Sequence, residues 1–279
     1  MNNSKLDKLN FITAGIPLRT EPKDYKNAFK VLKDMELDGI ELEFVHGVRM
    51  SETSQSTVKE ASNDFMITAH GPYYINLNSK EQEKIDASVV RIIDTAIMAD
   101  KVGAYSITYH AAFYMSNDKK IVFDRVVEQT KRIIDVIEKE KIKVWIRPET
   151  TGKGTQWCDL DDVINLSKDF KQVWPCIDFS HIHARSGGQF NTHDDFCMIL
   201  DRIGNEIGQY ALENFHGHLA GIAYSDKGEK NHLELQNSAM NYKDLLKALK
   251  EFNVKGALVC ESPNIEEDCK LIKEYYLSI

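Results

Sequence analysis

Eight short apolar runs, each followed by a longer amphipathic stretch, constrain most strongly what this chain can fold into. The runs are "NFITAGI" (10–16), "GIELEFV" (39–45), "FMITAH" (65–70), "YSITYH" (105–110), "KVWIRPE" (143–149), "WPCIDFS" (174–180), "FHGHLAG" (215–221) and "GALVCE" (256–261). Between them, "KDYKNAFKVLKDME", "DRVVEQTKRIIDVIEKE", the stretch 80–100, "NYKDLLKALKEFN" and the terminal "IEEDCKLIKEYYL" place apolar residues at helical spacing with charges on the other face. Strict alternation of strand and helix predicts a parallel sheet. Eight such units in 279 residues favour an α/β fold closed as a single (β/α)8 TIM barrel over an open, doubly wound sheet. No GxGxxG follows the first run, which counts against a dinucleotide-binding fold. No low-complexity run or linker interrupts the pattern, so one barrel domain is expected over 1–279.

Composition narrows the classes further. The N-terminal "MNNSKLDKLN" lacks the apolar core of a signal peptide, and no apolar stretch is long enough to span a bilayer. A cytoplasmic location is expected. The five cysteines (158, 176, 197, 260 and 269) form no CxxC pair, which argues against a disulfide framework and a cysteine zinc knuckle. A net charge of −8 argues against a broad basic nucleic-acid surface, but not against a local basic patch or bound cations.

In a barrel of this kind, active-site residues sit where strands end and the following loops begin. Those positions hold His70, His110, Glu149, Asp178 with His181, His216 and His218, and Glu261, with His232 in the loop after the seventh run. Imidazole and carboxylate are the ligands that hold zinc or manganese in hydrolytic sites. Each residue alone has a plainer reading: a buried histidine is more often a satisfied core group, and Asp178 fits a helix cap. Six successive strand ends delivering such groups to one face are hard to assemble by accident. They predict a multinuclear metal site. Glu41 and Glu43 lie on the opposite side of the second run from Ile40, Leu42 and Phe44, which fits either the barrel interior or lysine pairing. "GKG" (152–154) is too short a match for a phosphate cradle, and "RSGG" (185–188) reads as a lid or substrate loop.

Several segments resemble the endonuclease IV family of apurinic/apyrimidinic endonucleases, most specifically "HGPYYINL", "CIDFSHIHARSGG", "GEKNHLEL" and "LVCES". The resemblance runs from the second strand to the eighth. It implies a (β/α)8 barrel with zinc ions at the C-terminal face, acting on double-stranded DNA 5′ to an abasic site and leaving a 3′-hydroxyl. It implies that His70 and His110 hold a first metal and that Glu149 bridges the first and second. Asp178, His218 and Glu261 would complete the second, with His216 the alternative to His218. His181 and His232 would hold a third. Glu149 and Glu261 would be the catalytic carboxylates, Tyr73 and Tyr74 a wedge pushed into DNA, and Arg49 a basic contact beside the flipped nucleotide.

The sequence departs from the family at Lys230, where the family supplies an aspartate two residues before the histidine matched here by His232. Glu229 and Asp226 are the nearest carboxylates. Two tightly held zinc ions are therefore expected, with a third either lost or held through Glu229, and manganese admissible at one position. A monomer is expected. Two other readings compete: a divalent-metal sugar isomerase or epimerase on the same barrel, and a metal-binding protein that recognises DNA lesions without cutting them.

Overall fold

All eight runs form strands of one parallel sheet in the structure, a computed structural model that describes residues 6–279. In chain order the elements are β1 (Leu9–Ala14), α1 (Tyr25–Asp34), β2 (Gly39–Glu43), α2 (Glu52–Ala61), β3 (Met66–His70), α3 (Gln82–Lys101) and β4 (Ser106–Tyr109). Then follow β5 (Ala112–Phe113), α4 (Lys119–Lys139), β6 (Trp145–Pro148), β7 (Gln156–Trp157), α5 (Leu160–Asp169), β8 (Ile177–Asp178) and α6 (Phe179–Arg185). The chain ends with α7 (His193–Glu206), α8 (Gln209–Glu213), β9 (Phe215–Leu219), β10 (Gly221–Ser225), β11 (Gly228–Leu233), α9 (Tyr242–Glu251), β12 (Gly256–Cys260) and α10 (Glu266–Ser278).

The strand order is β6-β4-β3-β2-β1-β12-β9-β8, every pairing parallel. The two outer strands then meet. Parallel bridges Ile146↔Val173 and Glu149↔Cys176 join them, with Cys176 N donating to Pro148 O at 3.0 Å and Thr150 N to Cys176 O at 3.1 Å. The sheet is thus closed, as expected of a (β/α)8 barrel. Two small antiparallel pairs, the β5–β7 ribbon and the β10–β11 hairpin, stand on the C-terminal side and were not foreseen from the sequence.

Apolar side chains of the helices, such as Leu32, Ile92, Ile133, Leu200 and Leu245, are fully buried against the outer face of the sheet. Each contributes about 1.5–3 kcal/mol by leaving water. Side-chain caps fix where helices start: Thr192 and Asp195 form a reciprocal pair at α7, and Asp159 and Asp162 another at α5. The sixth run is shorter than its sequence suggested. Phe179 and Ser180 already belong to α6, because the Asp178 carboxylate accepts from His181 N at 2.7 Å and caps a helix there.

The inside of the barrel is unusual in being polar. Glu41, Thr68, Ser106, Arg147, His216 and His218 are all buried within it. Arg147 forms part of the floor, donating to the carbonyls of Pro175 and Asn214 and to the Tyr105 hydroxyl.

Candidate metal centre

The strand ends converge. Glu149, just past β6, is the hub: Oε2 lies 3.2 Å from His70 Nε2, and Oε1 lies 3.2 Å from His110 Nε2 and 3.2 Å from His181 Nδ1. His218 Nδ1 reaches the same carboxylate at 3.6 Å and Glu261 Oε1 at 3.3 Å. Asp178 divides its two oxygens between two tasks. Oδ1 caps α6, while Oδ2 turns to the cluster, 3.3 Å from His181 Nδ1 and without an aligned hydrogen bond. The residue caps the helix and also faces the cluster.

Three histidines are oriented by main-chain carbonyls. His70 Nδ1 faces Gly71 O at 2.7 Å, His181 Nδ1 faces Thr150 O at 2.9 Å, and His232 Nδ1 faces Glu261 O at 3.1 Å. A carbonyl only accepts, so the proton sits on Nδ1 and the Nε2 lone pair is left for a cation.

At the mouth the ligand atoms fall into three groups, each compact enough for one ion: His70, His110 and Glu149; Glu149, Asp178, His218 and Glu261; and His181, Glu229 and His232. Cys176, His216 and His218 form a fourth, and His193, Cys197 and Glu251 a fifth on α7 and α9. Glu149 is common to the first two. The third group depends on a β-bulge. Ala223 pairs with Asn231 and Tyr224 with Glu229, so Lys230 is the extra residue in β11. The bulge leaves Lys230 exposed and brings Glu229, three residues from His232, to the same side as that histidine. Glu229 Oε2 lies 3.5 Å from His181 Nε2.

The electrostatics fit a cation. Carboxylates and imidazoles are interleaved at the mouth, and His70, His181 and His218 are drawn toward the charged form by the acids beside them. Burial opposes charge on His70, but the Glu149 carboxylate overrides it and the imidazole is pushed up to about 10. His181 is likewise pushed up to about 10, burial being outweighed by Asp178 and Glu149. Burial raises Glu261, yet His218 holds it down at about 2. Asp178 is pushed up to about 6, by burial first. Oxygen and imidazole nitrogen donors in this ratio suit zinc or manganese. Asp178 Oδ2 and His218 Nδ1, both buried without an aligned hydrogen bond, are the atoms such an ion would satisfy.

A sequence profile described as "Xylose isomerase-like TIM barrel" matches residues 29–275. The chain belongs to the xylose isomerase-like TIM barrel family. It is 42% identical over 266 residues to the uncharacterized protein MJ0133 of Methanocaldococcus jannaschii, covering 95% of this chain and 96% of that one. It is 27% identical over 158 residues to an apurinic-apyrimidinic endonuclease of Caenorhabditis elegans, covering 54% of this chain and 38% of that protein. Among solved structures, a D-tagatose 3-epimerase-like protein superposes with a TM-score of 0.74 at 18% identity, over 96% of this chain and 97% of that one. Endonuclease IV from Thermus thermophilus superposes with a TM-score of 0.73 at 15% identity, over 98% and 100%.

In this xylose isomerase-like barrel the structure separates the two histidines of β9. His218 lies at the mouth. His216, two residues earlier on the same face, lies a layer deeper, with Nδ1 2.8 Å from Ser106 Oγ and Nε2 3.1 Å from Glu41 Oε2. Its ligand atoms group with Cys176 and His218 rather than with Glu149, Asp178 and Glu261. Glu41 and Glu43, left open by the sequence, both point into the barrel rather than pairing with lysines. Glu41 is wholly buried, and burial followed by the nearby Glu41 charge pushes Glu43 up to about 8. Alternation along "ELE" showed that the two share a face; a position-by-position reading of the barrel interior would have been needed to say which face.

One loop reading is corrected and a second segment gains a role. The "RSGG" segment does not offer its arginine to a substrate: Arg185 Nη1 donates to Thr151 O, Thr151 Oγ1, Lys153 O and Gln156 O, clamping the loop after β6. The "GKG" segment serves close approach. A Cβ on Gly152 would stand 2.7 Å from Glu229 Cβ, and Glu229 N donates to Gly152 O at 2.9 Å. The loop tyrosines are exposed, Tyr73 at 59% and Tyr74 at 65%. Tyr73 N donates to Val45 O, so this loop leans on the one carrying the exposed Arg49. Among the described residues no helix is long and apolar enough to cross a membrane.

Proposed function

We propose that the chain is a zinc-dependent phosphodiesterase that cuts double-stranded DNA 5′ to abasic sites and leaves a 3′-hydroxyl. The observation that carries this reading is the histidine-rich mouth: His70, His110, His181, His218 and His232 join Glu149, Asp178, Glu229 and Glu261 in three ligand groups. A single-metal sugar site needs only the four-residue group of Glu149, Asp178, His218 and Glu261; the other histidines have no work there. The endonuclease-named relatives and the motifs "HGPYYINL" and "CIDFSHIHARSGG" support the same choice.

Zinc ions held in these groups would lower the pKa of a coordinated water to roughly 7 and draw charge from the phosphate. The protein's own part is positional. Glu149 bridges the first two groups and sets their spacing. Glu261, in the second group, would accept a hydrogen bond from a water and fix its direction. Glu229 stands in for the family's aspartate in the third group. Tyr73 and Tyr74 would enter the stack where a base is missing, which makes opening the duplex less costly there. Arg49 would meet the displaced strand, and the chain would work as a single-domain monomer in the cytoplasm.

The four-residue group taken alone favours the second reading, an isomerase or epimerase of a small sugar. Incubation of the purified protein with an abasic-site duplex, with and without chelator, tests the choice. Nicking that the chelator abolishes is expected. An intact duplex, together with turnover of a ketohexose, would replace this reading with the second.

A further inference from the structure

His218 differs from His70, His181 and His232 in how it is held. His70, His181 and His232 each place Nδ1 against a main-chain carbonyl. They stand at a strand end, in a short helix and in a hairpin, where such carbonyls are free of the barrel ladder. His218 lies within β9, flanked by β8 and β12, where carbonyls are committed to the sheet. Two side chains reach its ring: Cys176, just before β8, and Glu41 of β2 across the barrel, whose Oε1 lies 3.1 Å from His218 Nε2. Of the two, only the ionised carboxylate is an obligate acceptor.

We propose that Glu41 is a positioning residue for the metal centre: a buried carboxylate that keeps the His218 proton on Nε2 and so aims the Nδ1 lone pair at Glu149, Asp178 and Glu261. The inference rests on the metal-centre reading above. A neutral imidazole has one N–H and one lone pair, and an ionised carboxylate accepts only, so a carboxylate at Nε2 dictates which nitrogen faces the ion. Glu41 is itself fixed. Its Oε2 accepts from Thr68 Oγ1 at 2.7 Å and faces His216 Nε2 at 3.1 Å. His216 is held from behind by the Ser106 hydroxyl, 2.8 Å from Nδ1. All five side chains are wholly buried. Both imidazoles approach Glu41 off the ring N–H axis, at 3.1 Å each. The arrangement gives His216 a role too: it holds the carboxylate that holds the ligand.

The test uses full-length protein loaded with zinc, and separately with cobalt(II) as a spectroscopic probe. Competition with a chelator should show Glu41→Gln binding the ion at His218 roughly 10- to 100-fold more weakly than the parent, as is usual when a carboxylate behind a metal-bound histidine is lost. The cobalt visible band should shift, and the ion at His181, Glu229 and His232 should be unaffected. A merely structural role would lower thermal stability and leave the cobalt band unmoved, and that result overturns the proposal. Should Glu41→Gln not fold, nitrogen-15 NMR of ring-labelled histidines in the loaded parent decides, with His218 assigned through His218→Asn. A proton on His218 Nε2 is expected; a proton on Nδ1 overturns the inference. A parent that takes up no zinc removes both the metal-centre reading and this one. A parent that loads zinc beside an indistinguishable Glu41→Gln overturns this one alone.

Discussion

Asp178 shows how much one residue carries: one oxygen starts a helix and the other faces the cluster. Glu149 is more central still, touching His70, His110 and His181 within 3.2 Å. Replacing it by glutamine removes the only negative charge shared by two ligand groups. Glu149→Gln should lower zinc content and reduce cleavage more than roughly 100-fold, measured by metal analysis and by nicking of an abasic duplex. Full zinc with full activity would remove Glu149 from the bridge. Glu261→Gln should lose cleavage while its thermal melt stays close to that of the parent; a large fall in Tm with activity per folded molecule kept would mark it as structural. These residues were legible in the sequence because barrel strands point their ends at one face. The choice between His216 and His218 rested on matching "HLAG" to a family strand end. Residues two apart share a face, and only depth along the strand separates them. Glu41 and Glu43 stayed open for the same reason, since an alternating strand does not say which of its faces is inside.

At the scale of elements, the bulge in β11 changes the outlook for the third ion. A regular strand would put residues 229 and 232 on opposite faces. The extra residue, Lys230, turns out, and Glu229 joins His181 and His232. No pattern in "GEKNHLEL" announces a bulge, so the sequence could only leave Glu229 as one option beside loss of the ion. Dialysed parent protein should retain three zinc ions and Glu229→Ala two, by metal analysis; equal counts in both would free Glu229 of that role. Gly152→Ala should act like Glu229→Ala, because its new methyl group would collide with Glu229. The loop after β3 is the other element with a separable task. Tyr73 and Tyr74 are exposed, so replacing both by alanine should leave Tm nearly unchanged. Stacking contributes about 1–3 kcal/mol per base, so affinity for an abasic duplex should fall roughly ten- to hundredfold in a binding titration. Equal affinity in mutant and parent would contradict the wedge.

At the scale of the whole molecule, the barrel was the most legible feature. Eight strand runs with intervening amphipathic stretches leave few ways to bury every apolar face, and closure through Glu149↔Cys176 completes the expected sheet. The β5–β7 ribbon and the β10–β11 hairpin were not legible, because their strands are short and their pairing depends on the loops around them. A net charge of −8 sits with this architecture once the acids are placed, because several of them are turned inward to the mouth where cations would balance them. Catalysis should therefore follow metal content. The direct measurement strips the protein with chelator, adds zinc back in known equivalents, and follows nicking of an abasic-site duplex with analysis of the new ends. Stripped protein should not cleave, activity should rise as zinc is restored, and the product should carry a 3′-hydroxyl. Full zinc loading with an uncut duplex, or cleavage that persists without metal, would contradict a metal-dependent endonuclease.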